Sequence, residues 1–415
     1  MTHPSTPKRR RRRWKRWVAL ALLVALPFLL LSRTPLAPRG AAPTAADVSA
    51  ARGVYQRVRA ARAPHRQQVA VSWEEMRAVA LLGGRAAGLH HVTANIDDRR
   101  RGWMAVSVPV GLGFWLNGQS WVRPDESGLP RISGRVGHVP VPAFLTHAGI
   151  NLSRWMLSLR GARIPPLETM ITGLTVNERG LSATLALPVN TRIVGAIGEL
   201  QTGGVQAERV GRHYCRLLEL QKQSPSHDLS MHVRRVFGEA DGTGADNRAA
   251  FVALSMLVAG RDMSALPDGG QSILERCGTS NKVIHLQGRN DLALHWTVSA
   301  ALTAVLGSQV SISLGTWKEI ADSAEGGSGF SLVDLAADRS GTYCAEKAAS
   351  EPTADAMRRW LADARARDLL PVRALALAEG MSEEEFRARF ASTESAEFAA
   401  TVDRIDASLA VLLRY

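Results

Sequence analysis

The run Asp291–Gly341 reads DLALHWTVSAALTAVLGSQVSISLGTWKEIADSAEGGSGFSLVDLAADRSG. It sets one histidine, one lysine and several carboxylates at helical spacings into strongly apolar sequence. Such groups are costly to bury unless they are paired, protonated or metal-bound. This run therefore marks where the special packing or chemistry of the chain lies. From Trp296 to Trp317 there are 22 residues without a charge. Gly307, Ser308 and Gln309 interrupt them, and Ser311 and Ser313 dilute them. Two packed helices are expected there rather than one membrane span.

Asp291, His295 and Ser299 are spaced i, i+4, i+8 and share a helix face. Asp291 is expected to accept from one imidazole nitrogen, leaving the other pointing inward. The plainer reading is a satisfied core histidine beside a helix-start aspartate. Lys318 and Asp322 are also i, i+4. Glu319 and Asp322, at i, i+3, are able to share a proton or a cation. The plainer reading here is an intrahelical Lys318–Asp322 pair with Glu319 facing solvent. Asp334 and Asp338 repeat the i, i+4 spacing, and Gly341 continues near that face and admits another backbone. Ser331 is placed to cap the third helix after the turning loop EGGSGFS.

Convergence of His295, Glu319, Asp322, Asp334 and Asp338 gives a site for a divalent metal, since histidine and carboxylate suit zinc or a harder cation. His295, Glu319 and Asp322 are the catalytic candidates. A buried structural network of Asp291, His295, Ser299, Lys318, Glu319, Asp322, Ser331, Asp334, Asp338 and Gly341 accounts for the same residues. The chain has no HExxH, no GxSxG, no Walker loop and no DxDxDG calcium loop.

Outward from this run, the pattern predicts an α+β protein. A small antiparallel-sheet domain spans 51–190 and a mostly helical domain spans 191–415. A helix is expected over Ala51–Ala63, and Ser72 with Glu75 forms a capping box for a second. HVTANI, WMAVSVPV, GFWLNGQSWVRP and RISGRVGHVPVP alternate as strands, with Asn117-Gly118 read as a hairpin turn. Trp103, Trp115, Trp121 and Trp155 are assigned mainly to the core. MITGLTVNERGLSATLALP is a hairpin around Asn177–Gly180, and PAFLTHAGINLSRWMLSL is read as a helix. Helices are expected over 192–202, 207–220, 227–236, 245–260, 291–306, 309–324, 330–348, 353–366, 371–379, 382–390 and 395–412. Arg248 is within conceivable reach of the carboxylates.

The net charge of +13 is concentrated at the start: residues 1–33 hold nine Lys or Arg and no acid, which leaves 42 basic against 38 acidic residues elsewhere. The body is therefore near balance and no nucleic-acid partner is expected. The uncharged stretch Trp17–Ser32 has 16 residues. With Arg16 and Arg33 to snorkel, it is read as a single-pass transmembrane anchor with a cytoplasmic start, a periplasmic body and a linker over 34–50. A cleaved signal peptide is the rival. The three cysteines, Cys215, Cys277 and Cys344, match no zinc spacing. They are read as separate small buried residues, with one bridge and a free thiol as the alternative.

The D-x3-H-x3-S helix, the K-E-x2-D helix, the glycine-rich loop and the D-x3-D-x2-G run together resemble Gram-negative envelope lipoproteins of the YfiM type. The matching residues are Asp291, His295, Ser299, Lys318, Glu319, Asp322, Gly329, Ser331, Asp334, Asp338 and Gly341. The likeness covers 51 of 415 residues, implies an envelope location, and supplies no reaction. No lipobox cysteine follows the apolar span. The segment 70–190 more loosely resembles extracytoplasmic α+β domains of the YpmS type. Three functions follow as expectations. The first is an inner-membrane-anchored periplasmic scaffold, adaptor or assembly factor with an envelope protein partner. The second is a metal-assisted hydrolase of an envelope polymer or lipid. The third is a lipid- or glycan-binding module in 51–190.

Overall fold

The computed structural model describes residues 28–61, 66–97, 99, 101–158, 165–187, 205–260 and 270–410. Its first half alternates short strands and helices in this order: β1 (Leu31–Ser32), α1 (Ala45–Ala60), β2 (Gln67–Ser72), α2 (Trp73–Ala86), β3 (Val92–Ile96), β4 (Gly102–Gly111), β5 (Phe114–Pro124), β6 (Pro130–Val136), β7 (Val139–Val141), α3 (Ala143–Ser158), α4 (Leu167–Met170), β8 (Ile171–Asn177) and β9 (Gly180–Leu185). All pairings are antiparallel. One sheet runs β3-β4-β5-β6-β7 with β1 also on β5, and the other runs β2-β9-β8.

The second half is helical: α5 (Ala207–Gln223), α6 (Leu229–Glu239), α7 (Gly244–Ala259), α8 (Gly270–Cys277), α9 (Asn290–Leu306), α10 (Ser308–Asp322), α11 (Leu332–Ala349), α12 (Ala354–Asp363), α13 (Ala366–Leu369), a 3-10 turn at Val372–Ala376, α14 (Glu383–Phe390) and α15 (Ala396–Ala410). Its core gathers Tyr214, Phe237, Phe251, Leu254 and Trp296 with apolar residues of α11 and α12. A second cluster joins Ala45 and Leu82 of the first half to Trp317, Ile320, Phe330 and Phe386. Helices α1 and α2 therefore cover one side of α10.

Several local readings meet the structure directly. The Ser72/Glu75 and Ser382/Glu385 capping boxes form. The β8–β9 hairpin turns between Asn177 and Gly180, and α3 forms where the apolar segment was read as helical. Other readings are corrected. Helix α1 starts at Ala45, inside the expected linker, because Thr44 and Asp47 make a capping box there. Asn117-Gly118 is mid-strand: β5 runs through it and the hairpin turns at Gly111–Gly113. The Asn117 amide instead donates to the Thr34 carbonyl and accepts from the Leu36 N–H, which ties residues 34–36 onto the sheet. Trp155 is 58% exposed and Trp103, Trp115 and Trp121 are half-buried, so these four do not form a core. Helix α8 was not foreseen, and the segment expected over 192–202 lies outside the described residues, as does the boundary at 190/191. Cys215 and Cys277 are joined in a disulfide between α5 and α8, leaving Cys344 as a buried thiol whose pKa burial pushes up to about 12.

The expected anchor over Trp17–Ser32 is also corrected. Leu31 and Ser32 form β1, paired with Leu116 and Trp115, so a helix does not run to Ser32. Among the described residues no helix is long and apolar enough to cross a membrane. Residues 1–27 lie outside the described residues. The transmembrane element of the expected fold, the single-pass inner-membrane topology and the periplasmic placement that depended on it are withdrawn. The α+β architecture stands.

Candidate metal centre

Three helices converge on one buried set of polar side chains. Gly307, with φ at +87°, ends α9 and turns the chain directly into α10. That conformation is strained for any residue with a Cβ, and it divides the long uncharged run into two helices packed on each other. Ser331 then caps α11, its Oγ accepting from the Asp334 N–H at 3.0 Å. The cap starts α11 so that Asp334 and Asp338 both face α9. At the α9–α11 crossing, a Cβ on Gly341 would lie 2.0 Å from the Trp296 carbonyl oxygen, so only glycine allows this approach.

The crossing brings His295 onto Asp338, with Nδ1 3.0 Å from Oδ1. Ser299 Oγ donates to the same oxygen at 2.7 Å. Assigned from this network, Nδ1–H donates to Asp338, and the imidazole is oriented with Nε2 facing the other carboxylates. Nε2 lies 3.5 Å from Asp334 Oδ2 and 3.9 Å from Glu319 Oε1. Glu319 is 1% exposed, and its second oxygen accepts from the Ser331 N–H at 3.0 Å. Ligand atoms of His295, Glu319 and Asp338 all lie within 4.8 Å of one another, and all three residues are buried. Asp338 Oδ2 accepts no hydrogen bond from any described residue. It faces Gly315, where a Cβ would approach it to 2.8 Å. Asp334 Oδ1 likewise accepts none, and Arg289 Nη2 lies 3.6 Å away.

The rim carries the exposed charges. Lys318 Nζ reaches Asp322 Oδ2 at 2.6 Å and Glu319 Oε1 at 3.1 Å. Arg289 pairs with Asp291 at 2.5 Å and also holds Glu379. Asp291 therefore does not orient His295, as its spacing suggested. Its side chain is taken by Arg289, and Asp338 holds the imidazole from the neighbouring helix. Glu319 faces inward, not solvent, whereas the Lys318–Asp322 pair forms as read. Arg248 is remote from the set: its guanidinium donates to the Ala349 carbonyl. Arg289 and Gly315 were not singled out from sequence, although Arg289 stands only two residues before Asp291. A cleft of about 920 Å³ lies beside the Glu325–Gly329 loop and the start of α14, but none of the convergent side chains lines it.

Electrostatically the set holds on to positive charge. Burial pushes the Glu319 carboxyl up to about 7, against the lowering charges of Lys318 and His295. Burial also raises Asp334 above its usual range. For His295, burial disfavours the imidazolium, but the hydrogen bond and charge of Asp338 outweigh it and the pKa is raised. An unfolded chain releases the Glu319 proton near 4.5, while the metal-free fold keeps it to about 7. The fold therefore binds more protons across that window. This contribution to stability is complete below 4.5 and is lost as pH rises through about 7. The raised His295 works in the same direction, its share being lost above the unfolded value. We expect the urea midpoint of the metal-free protein to fall across this window relative to Glu319→Gln. Parallel pH profiles of the two proteins would show that Glu319 titrates normally.

No family model, curated protein or solved structure matches the chain. The likenesses to envelope lipoproteins of the YfiM type, and to YpmS-type domains, are therefore withdrawn. With them goes the envelope placement they implied, and the envelope protein, lipid and glycan partners expected in that setting are withdrawn with it. The anchored scaffold, adaptor or assembly-factor reading loses its anchor as described above. What remains is the site: a buried His295/Glu319/Asp338 cluster with ligand-like geometry, flanked by Asp334.

Proposed function

We propose that this cluster binds one divalent metal ion and serves metal-assisted hydrolysis. The carrying observation is the spacing around His295. Two ligands bonded at about 2.0–2.1 Å to one tetrahedral ion lie roughly 3.4 Å apart. The separations from Nε2 to Asp334 Oδ2 and Glu319 Oε1, 3.5 and 3.9 Å, are close to that edge. The 3.0 Å contact on Nδ1 has instead the length of a hydrogen bond. His295 Nε2, Glu319 and Asp334 are thus the ligands in this reading. Asp338 is the carboxylate behind the histidine, the arrangement that orients metal-bound imidazoles and raises their basicity. The unpaired carboxylate oxygens and upward-shifted acids support a site that favours added positive charge.

A bound divalent ion lowers the pKa of a coordinated water to near neutrality. Asp322 stays at the rim on Lys318, outside the oxygens gathered round His295 Nε2, and is given no part in the reaction. Glu319 Oε1 and Asp334 Oδ2 both stand within 4 Å of His295 Nε2. The competing reading, a network that only keeps three helices in register, is favoured by the Lys318 ammonium on Glu319 Oε1. The two readings separate on activity. Protein loaded with Zn²⁺ or Mn²⁺ is assayed against a chromogenic panel of carboxylic and phosphoric esters. The expected result is metal-dependent turnover that Glu319→Gln abolishes while the variant remains folded. Equal rates with and without metal, or in wild type and variant, would reject the hydrolytic reading.

A further inference from the structure

We propose that Lys318 is an affinity-determining residue of this site: its ammonium is the resident cation of the metal-free state and withdraws onto Asp322 when the metal binds. This rests on the metal reading above. The oxygen that Lys318 Nζ contacts at 3.1 Å, Glu319 Oε1, is the same one that stands 3.9 Å from His295 Nε2. The other Glu319 oxygen is taken by the Ser331 N–H. Glu319 therefore has one oxygen to offer, and lysine and metal compete for it.

The geometry also provides a place for the lysine to go. Asp322 stands one helical turn on, with Oδ2 2.6 Å from Nζ. The Lys318 side chain is 50% exposed and that of Asp322 30%, whereas Glu319 is 1% exposed. The ammonium can thus move fully onto Asp322 with little loss of hydration, while Glu319 stays where Ser331 holds it. A cation kept one turn from the site still repels an incoming dication, and does so appreciably where the surroundings are less polar than water. Removing it strengthens metal binding. In the metal-free chain the same ammonium partly neutralises a carboxylate that burial would otherwise leave exposed to repulsion from Asp334.

Full-length wild type, Lys318→Met and Lys318→Arg are stripped of metal, checked for the same circular dichroism spectrum, and titrated calorimetrically with Zn²⁺ alone. Lys318→Gln replaces the methionine variant if that one fails to fold. The expected result is one ion per chain, bound about tenfold more tightly by Lys318→Met than by wild type. The gap should narrow at high ionic strength, and Lys318→Arg should stay near wild type. Binding by Lys318→Met alone would equally support the lysine's role. Equal or weaker binding by Lys318→Met, with wild type still binding, would overturn the role of the lysine and leave the metal site standing. Absence of binding in all three would overturn both.

Discussion

Gly341→Ala will lower the stability of the chain by about 3 kcal/mol, the upper end of what overpacking costs. The added methyl group would meet the Trp296 carbonyl oxygen at 2.0 Å and its carbon at 2.9 Å. Both are backbone atoms in mid-helix, so no side chain can swing aside. Helices α9 and α11 must separate, and Trp296, fully buried against Phe251, loses packing as they do. The Trp296 Nε1–H also donates to Ser340 Oγ at 3.3 Å across the same junction. Gly83→Ala is the control, because a Cβ there meets nothing within 4 Å. In the interior of α2 it should be neutral or stabilise by roughly 0.5–1 kcal/mol. Urea unfolding measures both. A Gly341→Ala midpoint equal to that of wild type would mean that the helices do not cross this closely. Because His295 and Asp338 sit on the same crossing, the variant should lose metal binding along with stability.

Asp338 gives the second large effect, and two substitutions divide it. Asp338→Ala removes the acceptor of both the Ser299 hydroxyl at 2.7 Å and the His295 Nδ1–H at 3.0 Å. Two buried donors are then left without a partner, at a cost of about 1–3 kcal/mol each. Asp338→Asn keeps an acceptor oxygen for both and nearly the same shape, so most of that stability should return. What it does not restore is the negative charge behind the imidazole. Loss of such a charge should weaken metal binding by roughly 10–100-fold. Thermal unfolding and a metal titration on the two variants separate the roles. If Asp338→Asn binds metal like wild type, Asp338 is a packing residue alone.

How far this molecule is legible from its sequence differs by level. The elements with local causes were readable. Ser331, Ser72 and Ser382 cap helices because the cap and its partner lie three residues apart in the chain. The uncharged run divides at Gly307 for an equally local reason. The site was readable as a set of residues but not as a wiring diagram. His295 and Asp291 share a helix face, yet the imidazole is held by Asp338, 43 positions on. That partner depends on the close crossing at Gly341, a tertiary fact that spacing within one helix does not carry. Glu319 was left undecided between a shared cation and solvent. Neighbouring Lys318 and Asp322 mark an exposed face, and only His295 of α9 and the Ser331 N–H at the start of α11, packed against α10, make the Glu319 position an interior one. The misread turn at Asn117-Gly118 has the same origin: an Asn-Gly pair is a strong turn signal, and here a distant segment uses the amide instead. The apolar start misled most. Length and flanking charge described a membrane span, while Leu31 and Ser32 pair in a sheet with residues more than eighty positions away.

The central claim is that His295, Glu319 and Asp334, with Asp338 behind the histidine, hold one divalent ion. The direct measurement is metal stoichiometry. Full-length wild type and His295→Ala are dialysed against a buffered excess of Zn²⁺, freed of unbound metal, and analysed for metal per chain. Wild type should retain one equivalent and His295→Ala none, with both proteins folded. Wild type without retained metal, or His295→Ala retaining as much as wild type, would contradict the claim.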